Sequence, residues 1–160
     1  MIPLDGLSVI YGLVTLALIR LSILDIRHFE IPPGMNALIG GLGIIRMGMD
    51  FQHWQMYVMG FFSVAPLLWI VYLLTKGRGI GGGDIKLMAV SGLVLGWQKN
   101  ILAFLIGGVF ACLIQCFCLG FKRGGRRFAF GPYLALGICL SMYWGEKLIS
   151  VYLNWPGLAF

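Results

Sequence analysis

Charged residues are scarce in this sequence. Only 11% of its 160 residues are Asp, Glu, Lys or Arg, whereas 59% are apolar. A soluble domain of this size carries about 25% charged residues, so the composition excludes an ordinary soluble domain. We find no internal repeat, low-complexity tract or soluble domain in the sequence. The sequence therefore predicts an all-α, polytopic membrane protein with a single transmembrane domain over residues 1–160.

Metal-binding and redox patterns are missing too. The four cysteines lie in apolar runs and form no Cys-x-x-Cys pair, which argues against a zinc ribbon or a dithiol motif. The two histidines, His28 and His53, are interpreted as loop and surface residues. We therefore expect no metal and no cofactor. The net charge of +6 comes from basic residues scattered in short loops, so no nucleic-acid partner is expected and the bilayer is the predicted environment.

Long apolar stretches divide the chain into about six candidate transmembrane helices. A spanning helix needs about 20 apolar residues. The stretches cover residues 7–24, 35–49, 56–74, 85–97, 101–121 and 128–144, with a continuation of the last to residue 152 left open. The second and fourth are short, and we count them as spans because the charge pattern of the loops requires them.

Basic residues alternate between the predicted loops. Every second loop is basic, and together these loops hold Arg27, Lys76, Arg78, Lys86, Lys122, Arg123, Arg126 and Arg127. The other loops hold only Lys99 and Lys147. Cytoplasmic loops carry an excess of Lys and Arg. Six spans therefore predict both termini outside and the basic loops in the cytosol, in a bacterial inner membrane.

Two arginines fall inside the predicted spans, and both are interpreted as structural. Arg20 lies about one turn from a span end, where a long side chain can snorkel to the interface. Arg46 precedes Asp50 by one helical turn, so we expect these two to pair. Glycines within the spans are expected at helix contacts; they are Gly40, Gly41, Gly43, Gly92, Gly96, Gly107 and Gly108.

Acidic residues are the rarest charged type, and two of the six stand at predicted span ends on the same face. Asp25 ends the first span, and Asp84 follows Gly81-Gly82-Gly83 at the expected N-cap of the fourth. An ionisable residue at a membrane boundary is costly and is a functional candidate. Two carboxylates that share one proton supply a base and an acid, which activate water and protonate a peptide carbonyl without a metal.

The helix ends suggest which acid carries the proton. A helix N-terminus favours an anion and a helix C-terminus disfavours one. We therefore expect Asp84 to be the resting carboxylate and Asp25 to hold the shared proton. Taken singly, an Asp at a cap or a span end is more often structural. Glu30 and His28 are interpreted as solvated loop residues, and Lys86 either tunes Asp84 or anchors its helix.

Three segments together resemble a known family. Gly81-Gly82-Gly83-Asp84 matches the Gly-x-Gly-Asp motif of intramembrane aspartyl proteases, and the longer run Gly-Gly-Gly-Asp-Ile-Lys-Leu-Met-Ala resembles bacterial type IV prepilin leader peptidases. In that family the first aspartate precedes an Ile-Pro pair by six residues, as Asp25 precedes Ile31-Pro32. The run from Phe130 to Gly137 is similar to a segment near the family's end. The resemblance covers residues from about 15 to 140.

The resemblance implies that Asp25 and Asp84 are the catalytic pair of an aspartic endopeptidase. It also implies that Gly81, Gly83, Lys86, Pro32, Gly131 and Pro132 support the site. The expected substrate is a prepilin or pseudopilin precursor, cleaved at the cytosolic face after its short basic leader. Many members carry an N-terminal region with paired Cys-x-x-Cys motifs linked to methylation. That region is absent from this sequence, so we expect peptidase activity without methyltransferase activity.

The sequence departs from the family pattern at two places. Pro33 stands where many members have Asn, with Asn36 three positions further on, and Ala129 stands where many have Pro. Three other functions stay open. They are a related protease acting on signal peptides or other membrane helices, a small proton-coupled transporter in which the two acids relay protons, and a non-enzymatic assembly subunit. The glycine-rich loop 75–83 is the expected mobile element.

Overall fold

The loops of this protein are short, and nearly all of the chain between them is helical. The computed structural model describes residues 4–29, 31–77, 80–120 and 129–154. Its helices are α1 (Leu4–His28), α2 (Pro33–Met49), α3 (Trp54–Leu74), α4 (Gly82–Leu95), α5 (Trp97–Gly120) and α6 (Gly131–Leu153), with a 3-10 turn at Phe51–His53. The predicted all-α fold is therefore confirmed for the described part, and α6 does continue past residue 144.

The helices alternate in direction. α1 and α6 are antiparallel. The Tyr11 ring, near the start of α1, makes an edge-to-face contact with Tyr143 in the second half of α6, and Asp25, near the end of α1, accepts a hydrogen bond from Gly131 at the start of α6. α2 and α4 are parallel, with Asn36 bonded to Gly83 at their starts. One end of the bundle therefore collects the end of α1 and the starts of α2, α4 and α6. We call it the carboxylate end, and the other the opposite end.

Within the described ranges, four helices are long and apolar enough to cross a bilayer by themselves: the stretches Gly6–His28, Phe51–Leu74, Trp97–Phe117 and Gly131–Tyr152. α2 and α4 have 17 and 14 residues, short of the roughly 20 that a lone span needs. α4 is surrounded by α2, α3, α5 and α6, and most of its side chains are buried. Its length is therefore set by protein neighbours and not by lipid. The chain is a multi-pass membrane protein.

Glycines allow α3 and α4 to cross at backbone contact. A Cβ on Gly60 would lie 2.3 Å from the Gly92 carbonyl oxygen, and one on Gly92 would lie 2.1 Å from that of Gly60. Small residues let helices approach closely where lipid supplies no hydrophobic drive. The prediction for Gly92 as a packing residue is thus confirmed. Gly41 and Gly108 were predicted alike but have no neighbour within 4 Å of an added Cβ.

A buried amide joins three helices beside this crossing. Asn100 Nδ2, in the first turn of α5, shares its two hydrogens among three acceptors: the Gly60 carbonyl at 3.1 Å, the Met88 carbonyl at 3.1 Å and Ser63 Oγ at 3.0 Å. Ser91 Oγ donates to Asn100 Oδ1 at 2.8 Å. A buried polar group is tolerated when its hydrogen bonds are made. This amide therefore fixes the position of α5 against α3 and α4.

Several sequence predictions fall outside the described residues, namely those on Glu30, Arg78, Lys122, Arg123, Arg126 and Arg127. The predicted Arg46–Asp50 pair does not form a direct ion pair within the described residues, although the charge of Arg46 still acts on Asp50. Asp50 instead lies 2.8 Å from His53 Nδ1 and accepts from the Tyr57 hydroxyl at 2.9 Å. The guanidinium of Arg46 lies over the Tyr11 ring, which α1 supplies and which the i, i+4 spacing could not reveal.

Candidate active site

A cavity of about 280 Å³ opens at the carboxylate end of the bundle. Its walls are Asp25, Phe29, Ile31, Gly81, Gly82, Gly83 and Asp84. Asp25 and Asp84 are only 5% and 6% exposed, although they come from α1 and α4. The structure thus brings together the two acids that the sequence singled out, at the mouth of a protein-lined pocket.

Asp25 is held by the beginning of α6. The Gly131 backbone N–H, at the start of α6, donates to Asp25 Oδ2 at 2.9 Å. A Cβ on residue 131 would lie 2.6 Å from that same oxygen, so only glycine leaves the carboxylate in place. The free N–H groups of a helix start favour a nearby anion. The start of α6 therefore offsets the unfavourable C-terminal dipole of α1 at Asp25.

Asp84 lies within the first turn of α4 and not at its N-cap. The helix begins at Gly82, and Gly81 is the N-cap with extended dihedrals. The Asp84 carboxylate accepts a bond from the backbone of Gly81, the reach from the third helical residue to the N-cap that defines half of a capping box. Its Oδ1 is buried and has no hydrogen-bond partner among the described residues.

The surroundings of the two acids favour the protonation order opposite to the expected one. Asp84 precedes the apolar part of α4 and lies outside the four long spans. Burial, and secondarily the charge of Asp25, raise the pKa of Asp84 to about 7. Asp84 is therefore the better holder of the shared proton, whereas Asp25 has a helix N-terminus to stabilise its charge. The position of each acid on its own helix can be read from the sequence, whereas the approach of α6 to Asp25 cannot.

The other residues that were predicted to support the site differ in where they lie relative to the cavity. A Cβ on Gly83 would lie 2.8 Å from the Ile31 side chain, so this glycine lets α4 approach the segment before α2. Pro32 is the extended N-cap of α2, and Pro132 is the second residue of α6, where proline is tolerated. Neither proline lines the cavity. Lys86 is exposed and is not among the residues that line the cavity.

Sequence reasoning missed the role of Asn36. Its Nδ2 donates to the Gly83 carbonyl at 3.3 Å, which ties the first turn of α4 to α2, and the side chain is 5% exposed. The available signal was an amide within an apolar helix, since such a group is costly unless it is bonded. In the sequence alone, Asn36 stands out only through the departure from the family pattern at Pro33.

Two buried carboxylates, one from α1 and one from α4, that line one cavity at the end of a membrane helix bundle define the class of membrane proteins with a paired-acid site. The chain matches the model of the type IV leader peptidase family over residues 12–116. It belongs to this family.

Similar curated proteins support this family membership. The chain is 27% identical over 157 residues to the prepilin leader peptidase/N-methyltransferase of Pseudomonas aeruginosa, which covers 91% of this chain and 52% of the relative. It is 31% identical over 154 residues to the protein of that name from Aeromonas salmonicida, covering 89% and 51%. The chain thus spans about half the length of these relatives. No solved structure shows a significant match.

Proposed function

We propose that the chain is a membrane aspartic endopeptidase that removes the leader of type IV prepilin-like precursors. One observation carries the proposal: two buried carboxylates, Asp25 and Asp84, line a single cavity at one end of the bundle. Membership of the leader peptidase family and the names of the relatives support the reaction and the substrate class.

The proposed roles follow from the surroundings of the two acids. Asp25, charged and bonded to the Gly131 N–H, is the base that takes a proton from water as the water oxygen adds to the scissile carbonyl carbon. Asp84, protonated, gives its proton to the carbonyl oxygen. When the tetrahedral intermediate collapses, the C–N bond breaks, the leaving amine receives the proton taken by Asp25, and Asp84 regains a proton from a hydroxyl of the intermediate. The pair thereby moves two protons without changing its total charge.

The proposed substrate is a precursor whose apolar helix lies among the helices of the enzyme and whose basic leader is in the cytosol. The excess of basic residues in alternate loops supports placing the carboxylate end at the cytosolic face of the bacterial inner membrane. Peptidase activity without methyltransferase activity stays a prediction, and incubation of the purified chain with product and S-adenosylmethionine tests it.

A cleavage assay tests the acid pair. The chain is co-expressed with a prepilin carrying a Gly-Phe leader junction in a host without its own peptidase. Asp25→Asn and Asp84→Asn keep side-chain size but remove the ionisable group, and each is expected to lower the cleavage rate at least about a hundredfold. Asp5→Asn, the same chemical change in the first turn of α1, is the matched control and is expected to cleave normally.

The outcomes separate the candidate functions. Loss of cleavage in both variants at normal membrane levels supports the aspartic mechanism. Cleavage that survives both substitutions would contradict it. A wild type that cleaves no prepilin but cleaves a signal peptide would instead support the related protease.

A further inference from the structure

A second cavity lies at the opposite end of the bundle. It has a volume of about 350 Å³, and Arg46, Tyr57, Gly96, Lys99 and Glu146 are among its walls. The cavity exists because α4 stops at Leu95, where Gly96 turns the chain with a φ of +78°. Residues of α2, α3, α5 and α6 line the depression at the end of this short central helix.

Arg46 brings a buried cation into this cavity, and within the described residues it forms no direct ion pair. Its side chain is only 8% exposed, and its Nε and Nη1 are buried with no hydrogen-bond partner among the described residues. The guanidinium carbon lies 4.8 Å from the Tyr11 ring centre and 5.6 Å from that of Tyr57. The two tyrosines hold the charge in place through their ring faces and through side-chain hydrogen bonding, and Nε and Nη1 are still left without partners. Burying donors without partners is costly, which points to a ligand that accepts hydrogen bonds.

The nearby carboxylates do not fill this role. Both oxygens of Asp50 already have partners. Oδ1 lies beside His53 Nδ1, and Oδ2 accepts a hydrogen bond from the Tyr57 hydroxyl. Glu146 is 85% exposed and lies 2.7 Å from Lys99 Nζ, whose own side chain is 15% exposed. An ammonium group has three donors, so Lys99 can bind a second acceptor beside Arg46.

The depth of the cavity indicates what kind of acceptor reaches it. Trp54, Trp97 and Trp144 lie at this end and are 43%, 39% and 52% exposed. Tryptophan is enriched where the bilayer meets water, at the level of the lipid headgroups. A guanidinium fork and an ammonium at this depth match the oxygens of a phosphate group. The carboxylates of Asp50 and Glu146 disfavour a dianion, so a phosphodiester with a single charge fits better than free phosphate.

We propose that this cavity binds the phosphodiester of a phospholipid headgroup, with Arg46 as the principal contact and Lys99 as the second. The site is independent of the acid pair, because Tyr11 and Asp25 on α1 lie about 21 Å apart along the helix axis. The bound lipid would complete the packing at the end of the bundle where α4 is too short to do so.

Thermal unfolding of the full chain in a phosphate-free detergent tests the proposal. Three probes are titrated: short-chain phosphatidylglycerol, a diacylglycerol with the same tails, and inorganic phosphate at matched ionic strength. We expect a saturable rise in Tm with phosphatidylglycerol only. Arg46→Gln is expected to weaken this response at least about tenfold. Arg20→Gln removes an exposed arginine outside the cavity and is expected to respond like wild type.

Every outcome of this experiment either supports or overturns the proposed lipid site. An equal response in Arg46→Gln, or an equal response to diacylglycerol, would overturn the site. A response to inorganic phosphate as strong as that to phosphatidylglycerol would overturn the lipid as the source of the phosphate. Should Arg46→Gln not fold, Lys99→Gln supplies the second variant, with a response several-fold weaker than wild type if the site is real and an unchanged one if it is not.

Discussion

Gly131 controls the position of Asp25 through the space that it leaves free. A methyl group there would lie 2.6 Å from Asp25 Oδ2, so Gly131→Ala must displace the carboxylate or the start of α6. Because a displacement of about 1 Å can cost a hundredfold in rate, we expect cleavage to fall at least about tenfold. Initial rates of prepilin cleavage measure this.

Gly108→Ala is the matched control, since an added Cβ in that helical position has nothing within 4 Å. It is expected to keep its cleavage rate. Equal rates for Gly131→Ala and wild type would show that the bond from the α6 backbone does not position Asp25.

The raised pKa of Asp84 predicts a pH-dependent stability. The folded state holds the proton to about pH 7, whereas an unperturbed Asp releases it near 3.8. The contribution of Asp84 is therefore fully present below pH 3.8 and is lost as the pH rises through 7. Asp84→Asn removes this loss. We expect its unfolding free energy, relative to wild type, to rise between about pH 4 and pH 8 by at most on the order of 4 kcal/mol.

Asp50→Asn is expected to change the pH dependence of stability in the opposite direction. The hydrogen bond from His53 is the main cause that lowers the pKa of Asp50, so its contribution is present above pH 3.8 and is lost as the pH falls. The deficit of this variant should shrink in acid. A pH-independent difference between Asp84→Asn and wild type would contradict the assignment of the shared proton to Asp84.

Among the helices, α4 depends most on close contact, because it crosses α3 with no side chain between the backbones. Gly60→Ala would place a Cβ 2.3 Å from the Gly92 carbonyl oxygen and must separate the two helices. We expect a loss of roughly 2–4 kcal/mol in the free energy of unfolding, together with slower cleavage as Asp84 moves.

Gly41→Ala, on the open side of α2, is the control for this substitution and is expected to be neutral or slightly stabilising. Thermal unfolding and cleavage rates on the same preparations compare the two variants. A fully stable Gly60→Ala would show that the crossing tolerates separation.

The sequence could predict which segments are helical, because apolar length and loop charge suffice for that. It could not predict where α4 begins. A run of three glycines favours a loop, yet Gly82 and Gly83 are helical. Packing against Ile31 and the bond from Asn36 to the Gly83 carbonyl supply a tertiary reason that local propensity lacks.

The molecule as a whole has two chemically different ends, and its orientation can be measured. We expect His28→Cys, at the carboxylate end, to react with a membrane-impermeant maleimide only after cell lysis. Gln52→Cys, at the opposite end, should react in intact cells. Both side chains are exposed, so access and not burial decides the labelling. A background without the native cysteines is the control, and the reverse pattern would contradict the proposed orientation.

The meeting of Asp25 and Asp84 could be predicted because both stand at span ends on one side. Contacts between distant segments could not. The bond from Gly131 to Asp25 joins residues 106 positions apart, and the tyrosine faces around Arg46 come from α1 and α3. Spacing along the chain therefore located the candidate chemistry, whereas the protonation order and the far cavity required the packed bundle.

The bonds of Asn100 also constrain how the chain enters the membrane during synthesis. Released alone into lipid, the α5 amide would lose its hydrogen bonds to water, at a cost of several kcal/mol. Its partners Gly60, Ser63, Met88 and Ser91 all precede it in the sequence and are made first. The amide can therefore exchange its hydrogen bonds to water for hydrogen bonds to partners that have already been synthesised. Biogenesis should therefore proceed in chain order, with α3 and α4 as the template on which α5 is inserted.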